Sequence, residues 1–332
     1  MLSLQLIALG LLPTALAETV IYPNVIVEGP VDVEYTFQEG SNIDSPKLLP
    51  NANETTYDWW YFDAKSASTN QSINVVFFNG GPGAFINSWN NGPQSVDING
   101  VFADGSLIEE TAASADPNAN GVITFDETSI SLEWEGSGCS FTGTDVNTPN
   151  AKYVVSIDSP ATGVFGTITF DSLGPPTLLF DDGVGYHDKN WGDRRFVEVV
   201  QWWYWGHGRA GPYSAVWFDA FDREGNEHVS GYVLKDGEVV FSSCDAGSVV
   251  VRPWGANSLF PPQPTFDVME GIAAVFDLGD KELVFNVTTD QTQINGAAYL
   301  RLDGPLKVTE QGPGSSDEVF HGISLYENFR LP

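Results

Sequence analysis

One short segment of this 332-residue chain concentrates side chains that could do chemistry. Residues 185–195 contain three of the chain's 14 basic residues, together with two aspartates and a histidine. The window 191–217, which overlaps this segment, contains five of the ten tryptophans. Ionisable groups among large aromatic side chains are typical of a ligand pocket, because an apolar surrounding strengthens each directed hydrogen bond.

Lys189 is the leading candidate in this segment, since a lysine beside a dry cavity can donate a hydrogen bond to a carbonyl or an enolate oxygen. His187 is a candidate proton carrier. The alternative is structural: His187, Asp188 and Arg194 would form a buried polar network that holds a turn between domains. The sequence leaves both interpretations open.

The residues that several common mechanisms require are missing. The chain has no Gly-x-Ser-x-Gly elbow of an α/β-hydrolase. The glycine-rich run 80–83 is followed by neither Lys-Ser/Thr nor a helix start, so it does not resemble a phosphate-binding loop. The four histidines, at positions 187, 207, 228 and 321, lack metal-ligand spacing. We therefore expect neither a metal nor another cofactor.

Apolar residues recur with a period of two almost everywhere, in short segments separated by Gly, Pro, Asn and Asp. Residues 265–276 are the best helical candidate, and a weak one. The pattern predicts an all-β protein built from antiparallel strands. At 332 residues we expect an N-terminal β-domain over 18–175, a linker near 172–176 and a C-terminal β-domain over 176–332.

A pair of tryptophans followed by tyrosine and another aromatic occurs twice, in residues 58–63 and 201–206. The repeat predicts two β-domains that each open with an aromatic strand. Within the first strand, Trp59 and Tyr61 point to one face and Trp60 and Phe62 to the other. Large aromatics inside a barrel either fill it or line a cavity for one apolar ligand, and both possibilities stay open.

The N-terminus resembles a secretory signal peptide over residues 1–17, with an apolar run at 6–12 and a small-x-small pattern at 15–17. Glycosylation sequons at Asn53, Asn70 and Asn286 agree with a secreted or secretory-pathway protein. In that compartment Cys139 and Cys244 most simply form one disulfide, with two free thiols as the alternative. No apolar run approaches the ~18 residues of a membrane-spanning helix.

The charge balance excludes whole classes of partner. With 44 acidic against 14 basic residues the formal charge is −30, which would repel nucleic acid and anionic membrane surfaces. Apolar residues make up 42% of the chain, which excludes disorder. We interpret the acidity as solubility for a chain rich in aromatics, and we expect an apolar small molecule as its partner.

Residues 185–192, with the Trp-Trp-Tyr-Phe strand before them and the aromatic strand after them, resemble the hydroxyneurosporene synthase (carotenoid 1,2-hydratase)-like family. This family includes the fungal lipocalin-like Diels–Alderases and hetero-Diels–Alderases. The specific matches lie in 58–63 and 185–219. The resemblance implies two lipocalin-like antiparallel β-sandwich or barrel domains packed together, with a ligand pocket at or near their interface.

The activities implied by the resemblance are water addition to a polyene and [4+2] cycloaddition. Hydratase relatives carry a histidine where this chain has Lys189, and a tyrosine where it has Trp217. The loss of two proton carriers favours cycloaddition, which needs no nucleophile, metal or redox cofactor. It needs a cavity that folds an apolar substrate into one reactive conformer, and a donor that polarises a carbonyl.

The resemblance implies an aromatic, an amide and a late basic donor in the site, and the nearest matches are Tyr61, Asn79 and Arg301. The expected catalytic residues are Lys189, His187, Asp219 and Arg301. The expected substrate-binding residues are Trp60, Tyr61, Phe77, Asn79, Gln201, Trp203, Trp205 and Trp217.

A secreted member resembles the branch that joins a quinone methide to a humulene-type terpene. The alternatives are a carotenoid or terpenoid hydratase-like lyase, and a non-catalytic lipocalin-like carrier of an apolar metabolite.

Overall fold

The protein is described here by a computed structural model, which covers residues 16–35, 41–69, 71–85, 93–174, 177–180, 183–262, 267–296 and 298–331. Apart from one helical turn, the regular elements of these residues are all β-strands. The all-β prediction is therefore confirmed. Within these ranges no helix is long and apolar enough to cross a membrane.

The first part of the chain forms fourteen strands: β1 (Glu18–Pro23), β2 (Asp32–Val33), β3 (Leu48–Leu49), β4 (Tyr57–Ser66), β5 (Ser72–Gly80), β6 (Gln94–Val101), β7 (Leu107–Ala112), β8 (Asn120–Phe125), β9 (Ser129–Trp134), β10 (Cys139–Thr144), β11 (Lys152–Ser159), β12 (Val164–Gly174), β13 (Thr177–Phe180) and β14 (Gly183–Gly192). Twelve of them make one antiparallel sheet in the order β1-β8-β9-β10-β11-β12-β13-β14-β4-β5-β6-β7, while β2 pairs with β3.

The second part contains α1 (Phe196–Val199), β15 (Val200–Ala210), β16 (Tyr213–Asp222), β17 (Glu227–Lys235), β18 (Glu238–Ser243), β19 (Val249–Trp254), β20 (Gly271–Asp277), β21 (Glu282–Thr288), β22 (Gln291–Asn295), β23 (Tyr299–Gln311) and β24 (Val319–Arg330). Its sheet runs β18-β17-β16-β15-β24-β23-β21-β20-β19, with β22 beside β23.

Each sheet curls around its own apolar core. One cluster of buried side chains draws on both edges and the middle of the first sheet, including Tyr22, Trp60, Phe77 and Phe141. A second cluster draws on both edges and the middle of the second sheet, and it includes Trp217 and Phe285. Burial of apolar surface of this extent is the main stabilising term of such a fold.

The change from one sheet to the other differs from the sequence-based expectation. β13 and β14 belong to the first sheet, because β14 pairs with β4 along its whole length. Residues 172–174, the first part of the expected linker, belong to β12 and pair with β13; residues 175 and 176 lie outside the described ranges. The chain passes between the sheets in residues 193–199, not at 175.

Two further expectations differ from the structure. Residues 271–276 form β20, paired with β19 and β21, so the helical candidate at 265–276 is wrong there; residues 263–266 lie outside the described ranges. The disulfide is absent: Cys139 is buried in the first core, whereas Cys244 is exposed in the loop that follows β18. The two thiols belong to different barrels, which keeps them apart.

The predictions about secretion stay predictions. Residues 1–15 and Asn70 lie outside the described ranges. Asn286 is exposed on β21. Asn53 is half-buried, and its Oδ1 accepts hydrogen bonds from the backbone N–H groups of Thr55 and Thr56, each at 3.0 Å.

Candidate active site

A cavity of about 360 Å³ lies between the outer faces of the two sheets. β4, β5, β6, β7 and β14 provide one wall, and β15, β16 and β22 to β24 provide the other. Its aromatic lining comprises Trp59, Tyr61, Phe78, Phe85, Trp203, Trp205, Phe218 and Tyr299. Its polar lining comprises Asn74, Asp97, Asn99, Glu109, Asp188, Asn190, Arg301 and Glu327. A mostly apolar cavity with a few directed polar groups is typical of a small-molecule site.

The strand register arranges the first wall in rows. In one row Asp188 pairs with Tyr61, Tyr61 with Val76, Val76 with Asp97, and Asp97 with Thr111. Neighbouring strands lie about 4.8 Å apart, which places the backbones of Asp188 and Asp97 about 14 Å apart along the sheet. The cavity wall therefore carries a carboxyl group towards each end, with aromatic and apolar side chains between them.

Asp188 is half-buried and forms no ion pair with any residue that the structure describes. Asn190 Nδ2 donates to its Oδ1 at 2.8 Å, and the hydroxyl of Tyr186 also hydrogen-bonds to it. Burial raises the pKa of Asp188 to about 7, against the opposing effects of His187 and Tyr186. A carboxyl group with this pKa can give and take a proton near neutral pH.

Tyr61 belongs to a hydrogen-bonded chain that joins the sheets. Its hydroxyl donates to Asp63 Oδ2 at 2.9 Å, and His207 Nε2 lies 3.0 Å from the same oxygen. The His207 ring stacks on Tyr186 with centroids 5.2 Å apart. Burial raises the pKa of Tyr61 well above its ordinary value, so its hydroxyl stays protonated.

Arg301 reaches across the interface from β23. Its Nε donates to Glu327 at 2.9 Å, one terminal nitrogen donates to Asn74 Oδ1 at 2.7 Å, and the other donates to the Tyr299 hydroxyl at 2.6 Å. Burial raises the pKa of Glu327, and the positive charge of Arg301 opposes that rise. The guanidinium thus fixes the second wall against the first.

The structure brings four of the predicted site residues to this cavity: Tyr61, Trp203, Trp205 and Arg301. It places Lys189 and His187 on the opposite face of β14, inside the first barrel. Lys189 Nζ lies 2.6 Å from Asp58 Oδ1 and 3.4 Å from the centre of the Trp60 ring. Strand alternation is the reason, since 187 and 189 must face away from 188.

His187 is held in the same interior. Its Nε2 lies 3.0 Å from Asp44 Oδ1, and its ring stacks on Phe62 with centroids 4.1 Å apart. Tyr153 donates to the other oxygen of Asp44 at 2.7 Å. These contacts match the structural alternative for His187, a buried polar network, although the network lies within the barrel rather than at a turn.

The other predicted residues also lie away from the cavity. Trp60 and Phe77 belong to the first core and Trp217 to the second. Asp219 is buried in the second barrel, where Arg252 donates to it at 2.9 Å. Gln201 accepts a backbone hydrogen bond from Leu331 at 2.8 Å, and Asn79 is buried on the Trp60 side of its sheet, because it pairs with Asp58.

The alternation of side chains along a strand is the signal that could have identified a cavity residue that the sequence-based prediction missed. The alternation applied to 58–63 also separates Asp188 from its neighbours in 185–192. The aromatic repeat does not show which face lines the cavity, because equivalent positions of its two copies face different surroundings. Trp60 faces a barrel core, whereas the aligned Trp203 lines the cavity. No local sequence signal identifies Asp97, because it reaches the site through three successive strand pairings, from β14 to β4, β5 and β6.

The residues themselves do not suggest a metal site. Within the described ranges no three side chains of His, Cys, Asp and Glu are grouped as metal ligands. What the cavity offers is an aromatic lining, carboxyl groups near its ends and a guanidinium. These groups suit proton transfer and the stabilisation of positive charge.

Comparison with known proteins gives the class to which this fold and cavity belong. A family model described as Diels-Alderase-like matches residues 24–179. The chain is 35% identical to the quinolone epoxide rearrangement protein penF of Penicillium thymicola, over 96% of this chain and 97% of that protein. It is 34% identical to the quinolone epoxide rearrangement protein asqO of Emericella nidulans, over 97% and 96%.

The fold has a solved counterpart. The crystal structure of CghA with Sch210972 superposes with a TM-score of 0.65 at 14% identity, over 95% of this chain and 98% of that chain. The family model and the two relatives aligned over nearly the whole chain show that the chain belongs to the Diels-Alderase-like family. Its two-sheet architecture is shared with a solved structure.

Proposed function

We propose that this protein is an enzyme that rearranges a quinolone epoxide in the cavity between its sheets. The observation that carries the proposal is Asp188, a carboxyl group at one end of an aromatic cavity that has no ionic partner among the described residues. The two relatives aligned over nearly the whole chain are named for quinolone epoxide rearrangement, which supports the choice of substrate class.

The chemistry is an isomerisation, so substrate and product have the same formula. Asp188 in its acid form gives its proton to the epoxide oxygen as one C–O bond breaks, which leaves positive charge on the carbon. A substituent then migrates with its bonding electrons to that carbon, or a neighbouring nucleophile of the substrate attacks it. In both cases the proton that is released returns to the carboxylate of Asp188. The faces of Trp59 and Trp205 can stabilise the positive charge by about 0.5–2 kcal/mol.

The test is the conversion of synthetic quinolone epoxides by the purified protein, followed by chromatography and mass spectrometry. We expect a product of unchanged mass that forms much faster than in buffer. Asp188→Asn keeps an acceptor for Asn190 but loses the proton, and we expect kcat to fall by about 10²–10⁴-fold. Asp171→Asn is the matched control, because Asp171 is an exposed aspartate paired with Lys152 on the surface. No acceleration by the wild-type protein, or full activity of Asp188→Asn, would contradict the proposal.

The second candidate is the [4+2] cycloaddition predicted from the sequence, including the hetero-Diels–Alder reaction of a quinone methide with a humulene-type terpene. The match to the Diels-Alderase-like family model and the aromatic walls favour it. A cycloaddition requires positioning and a hydrogen bond to a carbonyl, and no proton donor of pKa near 7. It would therefore survive Asp188→Asn, and the stereochemistry of the adduct would depend on the protein.

The same assays separate the remaining alternatives. A hydratase would add 18 mass units and would incorporate ¹⁸O from labelled water. A carrier would bind the ligand without changing it. Secretion stays a prediction from residues 1–17, and the mass of the secreted protein would test both cleavage after residue 17 and glycosylation.

A further inference from the structure

The end of the cavity opposite Asp188 carries a polar pair that the proposed chemistry does not use. Asp97 and Asn99 lie two residues apart on β6, so their side chains share the face that lines the cavity. Both residues are half-buried. Asp97 is therefore the fourth residue of the row that begins with Asp188, three strands away from it.

Both side chains have hydrogen-bonding capacity to spare. Thr111 donates to Asp97 Oδ1 at 3.0 Å, and in the described part of the chain no other hydrogen bond reaches that carboxyl group. The side-chain amide of Asn99 has no hydrogen-bond partner among the described residues. Polar groups that lose water when a ligand enters must find hydrogen-bond partners on the ligand, because a buried polar group without a partner is unfavourable.

The charges around Asp97 favour a neutral hydrogen-bond donor over an anion. Arg301 attracts the carboxylate from the second sheet, and Glu109 on β7 repels it. Burial raises the pKa of Asp97 to about 6, so at neutral pH it is mostly a carboxylate that accepts hydrogen bonds. Asn99 can donate from Nδ2. The pair therefore presents an acceptor and a donor side by side.

This arrangement complements the edge of a secondary lactam, where an N–H and a C=O point to the same side. Side chains two apart on a strand start about 7 Å apart, a gap that such an edge can bridge with a hydrogen bond at each end. We propose that this pair binds the lactam of a 2-quinolone: Asp97 accepts a hydrogen bond from the lactam N–H, and Asn99 donates one to the lactam C=O. The inference rests on the proposed function of the cavity and names the part of the substrate that is recognised.

The subsite also sets the direction of the substrate. With the lactam held on β6, the rest of the molecule extends along the aromatic row towards β14. The reacting epoxide then lies at the Asp188 end, about 14 Å from the anchor along the sheet. Asp97 and Asn99 are thus specificity-determining residues, separate from the proton donor.

The experiment measures binding of unreactive ligands by quenching of tryptophan fluorescence. The probes are a 2-quinolone without an epoxide and its N-methyl derivative, which lacks the N–H. We expect the wild-type protein to bind the N–H compound at least tenfold more tightly. Asp97→Leu should reduce this preference to less than twofold, and Asn99→Leu should weaken both ligands. Asp104→Asn, an exposed aspartate in the β6–β7 turn, is the control that should leave the preference intact.

Equal affinities of the folded wild-type protein for the two compounds, or no binding of either, would overturn the inference. If Asp97→Leu does not fold, the wild-type comparison decides by itself. The outcome is independent of turnover. If the protein prefers the N–H compound but does not convert epoxides, the subsite is supported and the proposed reaction is contradicted. If it converts epoxides but binds both compounds equally, the reaction is supported and the subsite is contradicted.

Discussion

Two aspartates of this protein, the buried Asp44 and the half-buried Asp188, show how the surroundings of a carboxyl group determine its role. Burial alone would raise the pKa of Asp44, but the charge of His187 and hydrogen bonds from His187 and Tyr153 lower it. Asp188 has hydrogen bonds but no ion pair within the described part of the chain, so burial dominates and raises its pKa to about 7. The first is a structural anion and the second is suited to proton transfer.

The pH dependence of turnover tests this assignment. The acid form of Asp188 is the donor, so kcat should be highest below pH 7 and fall as pH rises through about 7. His187 on its own strand stabilises the carboxylate, whereas Asp63 on β4 and Glu327 on β24 destabilise it. A profile of kcat from pH 5 to 9 measures the effect, and Asp188→Asn should remove this limb. A flat wild-type profile across pH 7 would contradict it.

At the scale of the element, single strands serve two environments through their two faces. β14 presents Asp188 to the cavity, while Lys189 on its other face pairs with Asp58 inside the barrel. β15 has the same division, and its inner face requires a glycine. A Cβ at Gly206 would lie 2.5 Å from Cζ2 of Trp217. The inner faces stabilise the barrels and thereby position the outer faces.

Lys189→Met separates the structural role of the inner face from a chemical one. It leaves Asp58 buried without its cation, and we expect the free energy of unfolding to fall by about 3–5 kcal/mol. In the double variant with Asp58→Leu no carboxylate is left unpaired, and most of that loss should be recovered. Urea denaturation measures both, while kcat of the folded fraction should stay within twofold. A large loss of kcat at unchanged stability would restore the catalytic role predicted from the sequence.

At the scale of the whole molecule, the cavity exists only because the two sheets meet in one fixed way. An aromatic cluster that includes Trp59, Phe196 and Trp203 packs between them. Buried polar links cross the same interface, from Lys65 Nζ to Asp303 at 2.9 Å and from Asp63 to His207. Neither sheet alone carries all the groups of the site.

His207→Phe tests the importance of the interface. The phenylalanine keeps the stacking on Tyr186 but removes the partner of Asp63, so Tyr61 loses its anchor to the second sheet. We expect a lower melting temperature and a weaker affinity for quinolones. His228→Phe is the control, because His228 is exposed and pairs with Asp222 on the surface, where such pairs contribute at most about 1 kcal/mol. Equal effects of the two substitutions would contradict a special role for the Asp63–His207 link.

From the amino-acid sequence alone, the class of fold and several segments that line the candidate site could be predicted. Period-two patterning predicted the all-β architecture, and the alternation in 58–63 correctly separated Tyr61 from Trp60. The segment 185–195 did contain a cavity residue, Asp188. These features are local, because the pleat of a strand sends alternate side chains to opposite faces whatever the rest of the chain does.

Which face of β4, β14 and β15 lines the cavity depends on the tertiary structure. Both faces of β4, β14 and β15 are buried and rich in aromatic or ionisable residues, so hydrophobicity does not distinguish them. A shift of one residue exchanges the faces, which is why the two aromatic repeats point in opposite directions. Asp97 reaches the site through three successive strand pairings. The alternation of side chains between two faces is a property of a single strand. The surroundings of each face depend on every strand with which that strand pairs.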